Sequence, residues 1–577
     1  MKLLLSSAFC LTLLAASAWP QASTSTVRGT VTDQTHAVIP GAAVTLTNTA
    51  TNVSRSTQTN EAGLYVFPGV TPGNYRIVVE SPGLQRFEGT LTVQVQQDAV
   101  VDVTLRVAQT VAEIQVADVT PLLQLSRPSL GQVLERTRIE QLPINGRGYQ
   151  ALLITVPGID ATGRIRAYGL APGTHTLLFD GTQMNEVWEG WDIGRPPGLD
   201  AIQEFRVELN SSSAKFSRPT TIVLSSRSGT NQFRGSVFWT NRNSGYGVAR
   251  QRQDTYRKPP YLNRNEYGAS GGGPILIPGL YNGRDRTFFF FAWEGNRILQ
   301  YSTQQWTVPT EAMRRGDFRG LVDALGRQIR LYDPFTTDPV TWRRQPLSYR
   351  GIENMIDPAR MSPMAKYLFS ITPLPTLPEI NPLLDNNWVG PVPRVTRSYT
   401  TSLRIDHRFS ERDLIYGRYT RGALYESYQY PTQPMLNGVS GVTTRDWPNQ
   451  GLALTWVRTF SPTLVNELTL TGTRDWQFRG TVGDGKTDFA ALMGVPNPFK
   501  AVNFPTVNVG GLGNYGFGGD GIFYLITNFA TLQNNTTKLV GKHELQFGYH
   551  YRFEDIPQII ELPGRRIRRG HHGDRPL

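Results

Sequence analysis

The stretch His543-Glu-Leu-Gln-Phe-Gly-Tyr-His-Tyr-Arg-Phe-Glu-Asp555 decides the fold. In it Leu545, Phe547, Tyr549, Tyr551 and Phe553 alternate with Glu544, Gln546, Gly548, His550 and Arg552. A repeat of two belongs to a β-strand with one apolar and one polar face. The pattern recurs upstream, where Leu403, Ile405, His407 and Phe409 alternate with Arg404, Asp406 and Arg408. Weaker versions run through Leu452, Leu454 and Trp456 and through Leu468 and Leu470. Two-faced strands with no helices between them require a stacked or closed sheet. Further strands are expected from Phe233 onward at RGSVFWTNRN, NEYGASGGGPI and RTFFFFAWEGNRIL. Two long connections, about Tyr301 to Val395 and about Arg479 to Phe523, interrupt the series. Connections of that length are unusual inside a compact domain and ordinary on the outer side of a membrane barrel.

The N-terminus bears on where such a sheet resides. Lys2, the leucines at 3–5, an apolar run from Ala8 to Ala16 and Ala16-Ser17-Ala18 make residues 1–18 a predicted secretory signal peptide. The one cysteine, Cys10, falls inside it, so the mature chain is expected to hold no thiol, which excludes disulfides and thiolate metal sites. No later stretch approaches the ~20 apolar residues of a membrane-spanning helix, so an exported chain of this kind that is integral to a membrane must be a barrel. The net charge of +12 and isoelectric point near 9.7 come from arginines scattered over polar strand faces and loops. No nucleic-acid partner is expected for an exported chain of that pattern. The one cluster, Arg565, Arg566, Arg568 and Arg569, lies in a polar tail.

Residues 27–107 read as a small all-β domain. Runs rich in Val, Thr and Ile are separated by turn signals at Pro40-Gly41, Asn60 to Gly63, Pro72-Gly73 and Pro82-Gly83. This spacing predicts a sandwich of roughly seven short strands. The stretches GTVTD, IPGAAVTL and NEAGLYVFPGVTPGNYRIVVESPG resemble the carboxypeptidase regulatory-like domain. That resemblance implies a transthyretin-like, carbohydrate-binding-like sandwich without catalytic residues, and no HExxH pattern occurs among the seven histidines. Residues 108–121 form a linker containing VAEIQVAD, in which Val111, Glu113 and Gln115 alternate with Ala112, Ile114 and Val116. Such a segment can add to a partner's sheet edge or serve as the last strand of the sandwich, and the sequence leaves both open. From Leu122 to about Asn231 the pattern becomes mixed α+β. Helices are expected over Gln132 to Leu142 and Gln150 to Val156, and strands over His175 to Asp180, Glu204 to Leu209 and Thr221 to Ser226.

Many ordered motifs then match one family. They are LPINGRGYQALLITVPGI, HTLLFDGTQMNEV, IQEFRVELNSSSAKFSRP, SRSGTNQFRGSVFWTNRN, GGGPILIPGLYNGRDRTFFFFAWEGNR, VPTEAMRRGDF, YDPFT, SLRIDHRFSERDLIYGRYT and FSPTLVNELTL. Over nearly the whole mature chain the sequence resembles an Oar-like TonB-dependent outer-membrane receptor. The resemblance implies a mainly β protein with a periplasmic sandwich, a plug domain over 122–231 and, over 232–577, the N-terminal part of an antiparallel transmembrane β-barrel. About nine or ten strands are expected where such transporters have about 22, so the chain is expected to be a fragment of a longer product. The implied partners are TonB, outer-membrane lipid and an unknown ligand such as an iron chelate, cobalamin or an oligosaccharide, with no cofactor. Val111, Glu113, Ile114, Gln115 and Val116 are the implied TonB contacts, and Arg147, Asp180 and Gly181 the implied turn and latch residues of the plug. The chain departs from the family where TTIVLSSRSGTN replaces a Gly-Gly, an apolar run and Thr-Lys-Ser-Gly-Thr-Asn, and VAEIQVAD matches a Ton box only loosely.

Two further motifs have simpler readings. Gly480 to Thr487 fits GxxxxGK[ST], the pattern of a phosphate-cradling loop, but no βαβ alternation surrounds it, and it is read as a polar barrel loop. Thr287 to Trp293 is aromatic on both faces, as expected where outward rings meet lipid and inward rings press on a plug. No Ser/His/Asp set, paired-carboxylate site or metal cluster emerges, so enzymatic activity is not expected. The competing class is a secreted or surface-attached adhesion protein built of β-domains, without transport.

Overall fold

The computed structural model describes residues 24–107, 114–118, 130–185 apart from 143–145, 161–164, 168 and 172, then 195–209, 218–246, 261–429, 442–481, parts of 487–517, 522–562 and 565–569. The expected signal peptide, Val111, Glu113 and residues 482–486 of the GxxxxGK[ST] motif lie outside the described residues.

Nine strands build the N-terminal sandwich: β1 (Ser25–Asp33), β2 (Ala43–Asn48), β3 (Ser54–Gln58), β4 (Leu64–Val70), β5 (Gly73–Glu80), β6 (Arg86–Val93), β7 (Asp98–Val100), β8 (Val103–Leu105) and β9 (Ile114–Asp118). One sheet runs β4-β1-β7 with β8 also on β1, and the other runs β3-β2-β5-β6-β9. Alternate residues of both sheets, among them Val27, Val31, Val44, Tyr65, Ile77 and Leu91, interlock as the core. The three-residue β7 and β8 are too short to carry a period, so the sequence undercounts the strands. β9 comes from the expected linker and lies parallel to β6, from Arg86↔Ile114 to Thr90↔Asp118.

A second unit follows: β10 (Leu130–Glu135), α1 (Arg136–Gln141), α2 (Gln150–Leu153), β11 (His175–Phe179), β12 (Thr182–Gln183), β13 (Ile202–Leu209) and β14 (Thr220–Ser226). Its sheet order is β10-β13-β14-β11-β12. The helix expected over Gln132 to Leu142 is corrected here. Its first half is strand β10, whose Gln132 and Val133 pair with Val207 and Arg206 of β13, and only Arg136–Gln141 is helical. Pairing with a distant strand overrides local helix propensity. All seven residues of β14 are buried, so this sheet is covered on both faces.

The remaining strands form one antiparallel sheet: β15 (Arg234–Asn243), β16 (Leu262–Pro274), β17 (Thr287–Trp306), β18 (Trp388–Arg408), β19 (Asp413–Gln429), β20 (Val442–Ser461), β21 (Leu464–Thr481), β22 (Ile522–Val540), β23 (His543–Asp555), β24 (Gln558–Leu562) and β25 (Arg565–Arg569). Neighbours in sequence are neighbours in space, β23 and β24 both pair with β22, and among the described residues the sheet stays open. Its longest strand has 21 residues. At ~3.3 Å per residue that is about 70 Å, well over twice the ~25 Å apolar band of a barrel. No described helix is long and apolar enough to cross a membrane.

Burial in this sheet is inverted. Along β21 the face turned inward carries Glu467, Thr469, Thr471, Thr473, Asp475 and Gln477, all buried, while Leu470 on the other face is 45% exposed. The ladder aligns the outward residues into a belt: Phe289, Ile405, Gly417, Leu454, Leu470, Leu532 and Tyr551 are successive cross-strand partners over seven strands. One register step away the inward row reads Phe290, Arg404, Arg418, Ala453, Thr471, Thr531 and Arg552. An apolar belt outside a polar interior is the reverse of a water-soluble sandwich and is the pattern of a lipid-facing barrel wall.

The connections 275–286, 409–412, 462–463 and 541–542 lie at one end of the strands, and the two longest, 307–387 and 482–521, lie at the other. The long connections begin later than the sequence suggests, because β17 and β18 continue to Trp306 and Trp388, whose rings stack at 4.8 Å. Residues 307–387 and the described part of 482–521 then pack together through Leu368, Ile371, Phe489, Met493 and Phe504. Gly480 and Thr481 are the last described residues before the gap in the GxxxxGK[ST] motif, and they end β21, an antiparallel strand. A four-residue helix, Phe489–Leu492, comes next.

Candidate functional site

The chemistry of this chain concentrates where the second unit meets the polar inner face of the large sheet. Asp180 and Gly181 form the two-residue turn between β11 and β12, with φ of 47° and 78°. Positive φ at both positions suits Asp-Gly in a two-residue hairpin turn. The Asp180 carboxylate pairs with Arg418 of β19 at 2.8 Å, the two side chains being 1% and 0% exposed. Its other oxygen accepts from the Ser226 N–H at 3.0 Å. Arg418 also donates to the Phe179 carbonyl at 2.6 Å and the Thr182 hydroxyl at 2.8 Å, and its guanidinium lies 3.9 Å from the Phe179 ring centroid. Gln533 of β22 reaches the Gly181 carbonyl, and Arg552 of β23 donates to Gln183 at 2.8 Å. One turn is thus held by three strands of the wall.

Beside it, Arg404 of β18 is the direct cross-strand neighbour of Arg418. Two guanidiniums in that position repel. Asp180 offsets one of them. Asp406 offsets the other, pairing with Arg404 at 2.7 Å, while Arg404 donates to Ser226 and Ser228 donates to Asp406.

Arg147 sits in a second cluster. It pairs with Asp200 at 2.7 Å and with Glu294 of β17 at 3.2 Å, its backbone N–H donates to Glu266 of β16, and its guanidinium lies 3.9 Å from the Phe238 ring of β15. Burial alone would raise the Asp200 carboxyl, but Arg147 and Arg136 beside it hold it below the ordinary carboxylate value. Arg147, Asp180 and Gly181 therefore lie on one seam, in two separate clusters. The partners Asp200, Glu294, Arg404, Asp406 and Arg418 were missed by sequence reading. For the four on strands the signal available was a charge at an inward position, which the alternation marks without singling out; Asp200, in the short 3-10 helix Leu199–Ala201, had no such signal.

Of the linker candidates, Ile114, Gln115 and Val116 lie in β9, the last strand of its sheet order, bonded to β6 on one side. Among the described residues no group of three or more His, Cys, Asp or Glu side chains is placed to hold a metal ion.

Residues 225–561 match the model of the outer membrane beta barrel domain, and residues 26–106 match that of the carboxypeptidase regulatory-like domain. The TonB-dependent transporter Oar of Myxococcus xanthus is 24% identical over 296 residues, covering 47% of this chain and 26% of that protein. Among solved structures, the outer membrane transporter YddB of Escherichia coli aligns with a TM-score of 0.45 and 11% identity, and a ferric enterobactin receptor (PfeA) mutant of Pseudomonas aeruginosa with 0.39 and 10%. Each alignment covers 74% of this chain and 49% of the solved one. The chain thus spans about a quarter of the length of this curated relative and about half that of these solved structures.

Proposed function

The chain belongs to the outer membrane beta barrel domain family, and from that premise we propose that it is receptor and transporter machinery of the outer membrane, energised through TonB. In this reading the second unit is a plug, held against the wall by the Asp180–Arg418 and Arg147–Asp200–Glu294 latches. The sandwich and short turns face the periplasm, and the long connections face outward. The observation that carries the reading is the inverted burial: a polar wall wrapped around a folded unit, with an apolar belt on its far side. A sheet whose only task was adhesion in water would have no use for that belt. Buried ion pairs cost desolvation and contribute little net stability, so they suit a contact that must be specific and breakable.

TonB would reach the chain at Val111, Glu113, Ile114, Gln115 and Val116, taking the open side of β9 by strand addition. The ligand would be an iron chelate, cobalamin or an oligosaccharide, met first by the long connections. A photo-crosslinking residue in place of Gln115 is expected to join TonB in intact cells, and Ile114→Pro with Val116→Pro to abolish the product. A chain that resides in the outer membrane and yields no TonB adduct contradicts the coupling.

A further inference from the structure

The N-terminal sandwich touches more of the wall than a tethered domain needs to. At the short-connection end, Ala50 and Thr51 accept from Asn231, just before β15. Thr57 donates to the Pro462 carbonyl at 3.1 Å in the β20–β21 turn, and Asn60 to the Gly541 carbonyl at 2.7 Å in the β22–β23 turn. Arg28 pairs with Glu544 of β23 at 2.6 Å, and Thr24 donates to Glu467 of β21 at 2.8 Å. Gly69 sits so close to the wall that an added Cβ would lie 2.9 Å from Val457. These contacts run from the first to the ninth strand of the sheet. Nine strands at ~4.8 Å spacing would lie about 40 Å apart if flat, more than the ~30 Å breadth of an 80-residue domain. The sheet therefore curves, and the sandwich lies across its mouth.

One apolar feature keys the sandwich in place. The loop between β6 and β7 pushes Val95, fully buried, against Leu178 and Val223 of the second unit. The Val95 N–H donates to Glu204 at 2.5 Å, and Arg206 donates to the Val95 carbonyl at 3.2 Å. Apart from this three-residue cluster, the cores of the sandwich and the second unit are separate. Besides the close approach of Gly69 to Val457, the other contacts named here are hydrogen bonds and an ion pair, the kind that permits relative motion of domains. Beneath it, a cavity of about 370 Å³ lies among all three parts, with Arg55, Tyr75, Arg136, Ser228 and His407 in its walls.

We infer that the N-terminal sandwich is a detachable cap, seated by Val95 and a polar rim, that closes the short-connection mouth of the strand wall over this cavity. The inference rests on intrachain contacts and holds whichever ligand or energy source is involved. Passage along the wall's interior would then require the cap to lift, whatever moves the second unit.

The test uses the whole chain in detergent micelles with Cys10→Ser, so that an introduced Ser228→Cys is its single thiol, and follows reaction of that thiol with a polyethylene-glycol maleimide too bulky for the cavity. Reaction is slow in this parent. It becomes roughly tenfold faster or more when Val95→Asp unseats the loop, and likewise when Arg28→Ala with Asn60→Ala loosens the rim. Val95 lies outside the sandwich core, and the rim pair leaves Val95 untouched, so the two variants disturb folding in different ways if at all. A parent that already reacts fast, or either variant remaining at the parent's rate, overturns the proposal.

Discussion

At the residue scale, the seam depends on charges that are tolerated only in company. Asp180 and Arg418 are both fully buried, so removing one leaves the other unpaired in a water-poor site. Asp180→Asn or Arg418→Met is expected to destabilise the chain by roughly 3–5 kcal/mol, and the pair Asp180→Asn with Arg418→Met by less than the sum of the two, because no lone charge remains. Denaturant midpoints in detergent measure this, and single variants within about 0.5 kcal/mol of the parent would contradict it. Glu204 titrates with the sandwich interface. Burial pushes its carboxyl up to about 8 from 4.5, against the Val95 N–H and Arg206, which favour the ionised form, and with Glu135, which opposes it. The value is raised in the folded state, so this contribution is complete below about 4.5 and is lost as pH rises through about 8. The melting temperature in detergent is expected to fall between pH 5 and pH 9, and Glu204→Gln to flatten that slope; an unchanged slope would contradict the raised Glu204 carboxyl. The resemblance implied Asp180 and Gly181, and the turn they form also has a local signature, Asp-Gly between two apolar runs. Nothing local assigns a role to Glu204, Arg404 or Arg418, whose partners Val95, Ser226 and Phe179 lie 109, 178 and 239 residues away in sequence.

At the scale of elements, alternation was legible because two solvents impose it, lipid on one face and a polar interior on the other. The strands expected near Leu403, Leu452, Leu468 and Leu545 are β18, β20, β21 and β23. Helix and strand were confused at Gln132 to Leu142, where VLERTRIEQL satisfies a helical period and β10 exists only by pairing with β13, some seventy residues on. The length of β17 and β18 was equally hidden, since beyond the membrane band no solvent alternation is required. Leu454 lies near the middle of the outward belt and is 43% exposed. Leu454→Arg is expected to cost about 2–4 kcal/mol if that face meets acyl chains, and close to nothing if it meets water. Comparing unfolding of the two chains in phospholipid bilayers decides between them, equal stability being the contrary result.

For the molecule as a whole, the order of units was visible in composition and turn signals, whereas their arrangement was not. Contacts of the sandwich with the mouth of the wall use Arg28, Thr57 and Asn60, and its contact with the second unit uses Val95, all of which in sequence are ordinary residues of a small β-domain. β9 shows the same limit: VAEIQVAD could be read as a strand with a partner outside the chain or inside it, and the backbone places Ile114–Asp118 beside β6. What unites the three parts is that the large sheet turns its apolar face away from everything else in the protein. The most direct measurement is therefore extraction of the cell envelope with alkaline carbonate after separation of inner and outer membranes. The chain is predicted to remain in the outer-membrane pellet and to leave it only with detergent; release into the carbonate supernatant would contradict a lipid-facing wall.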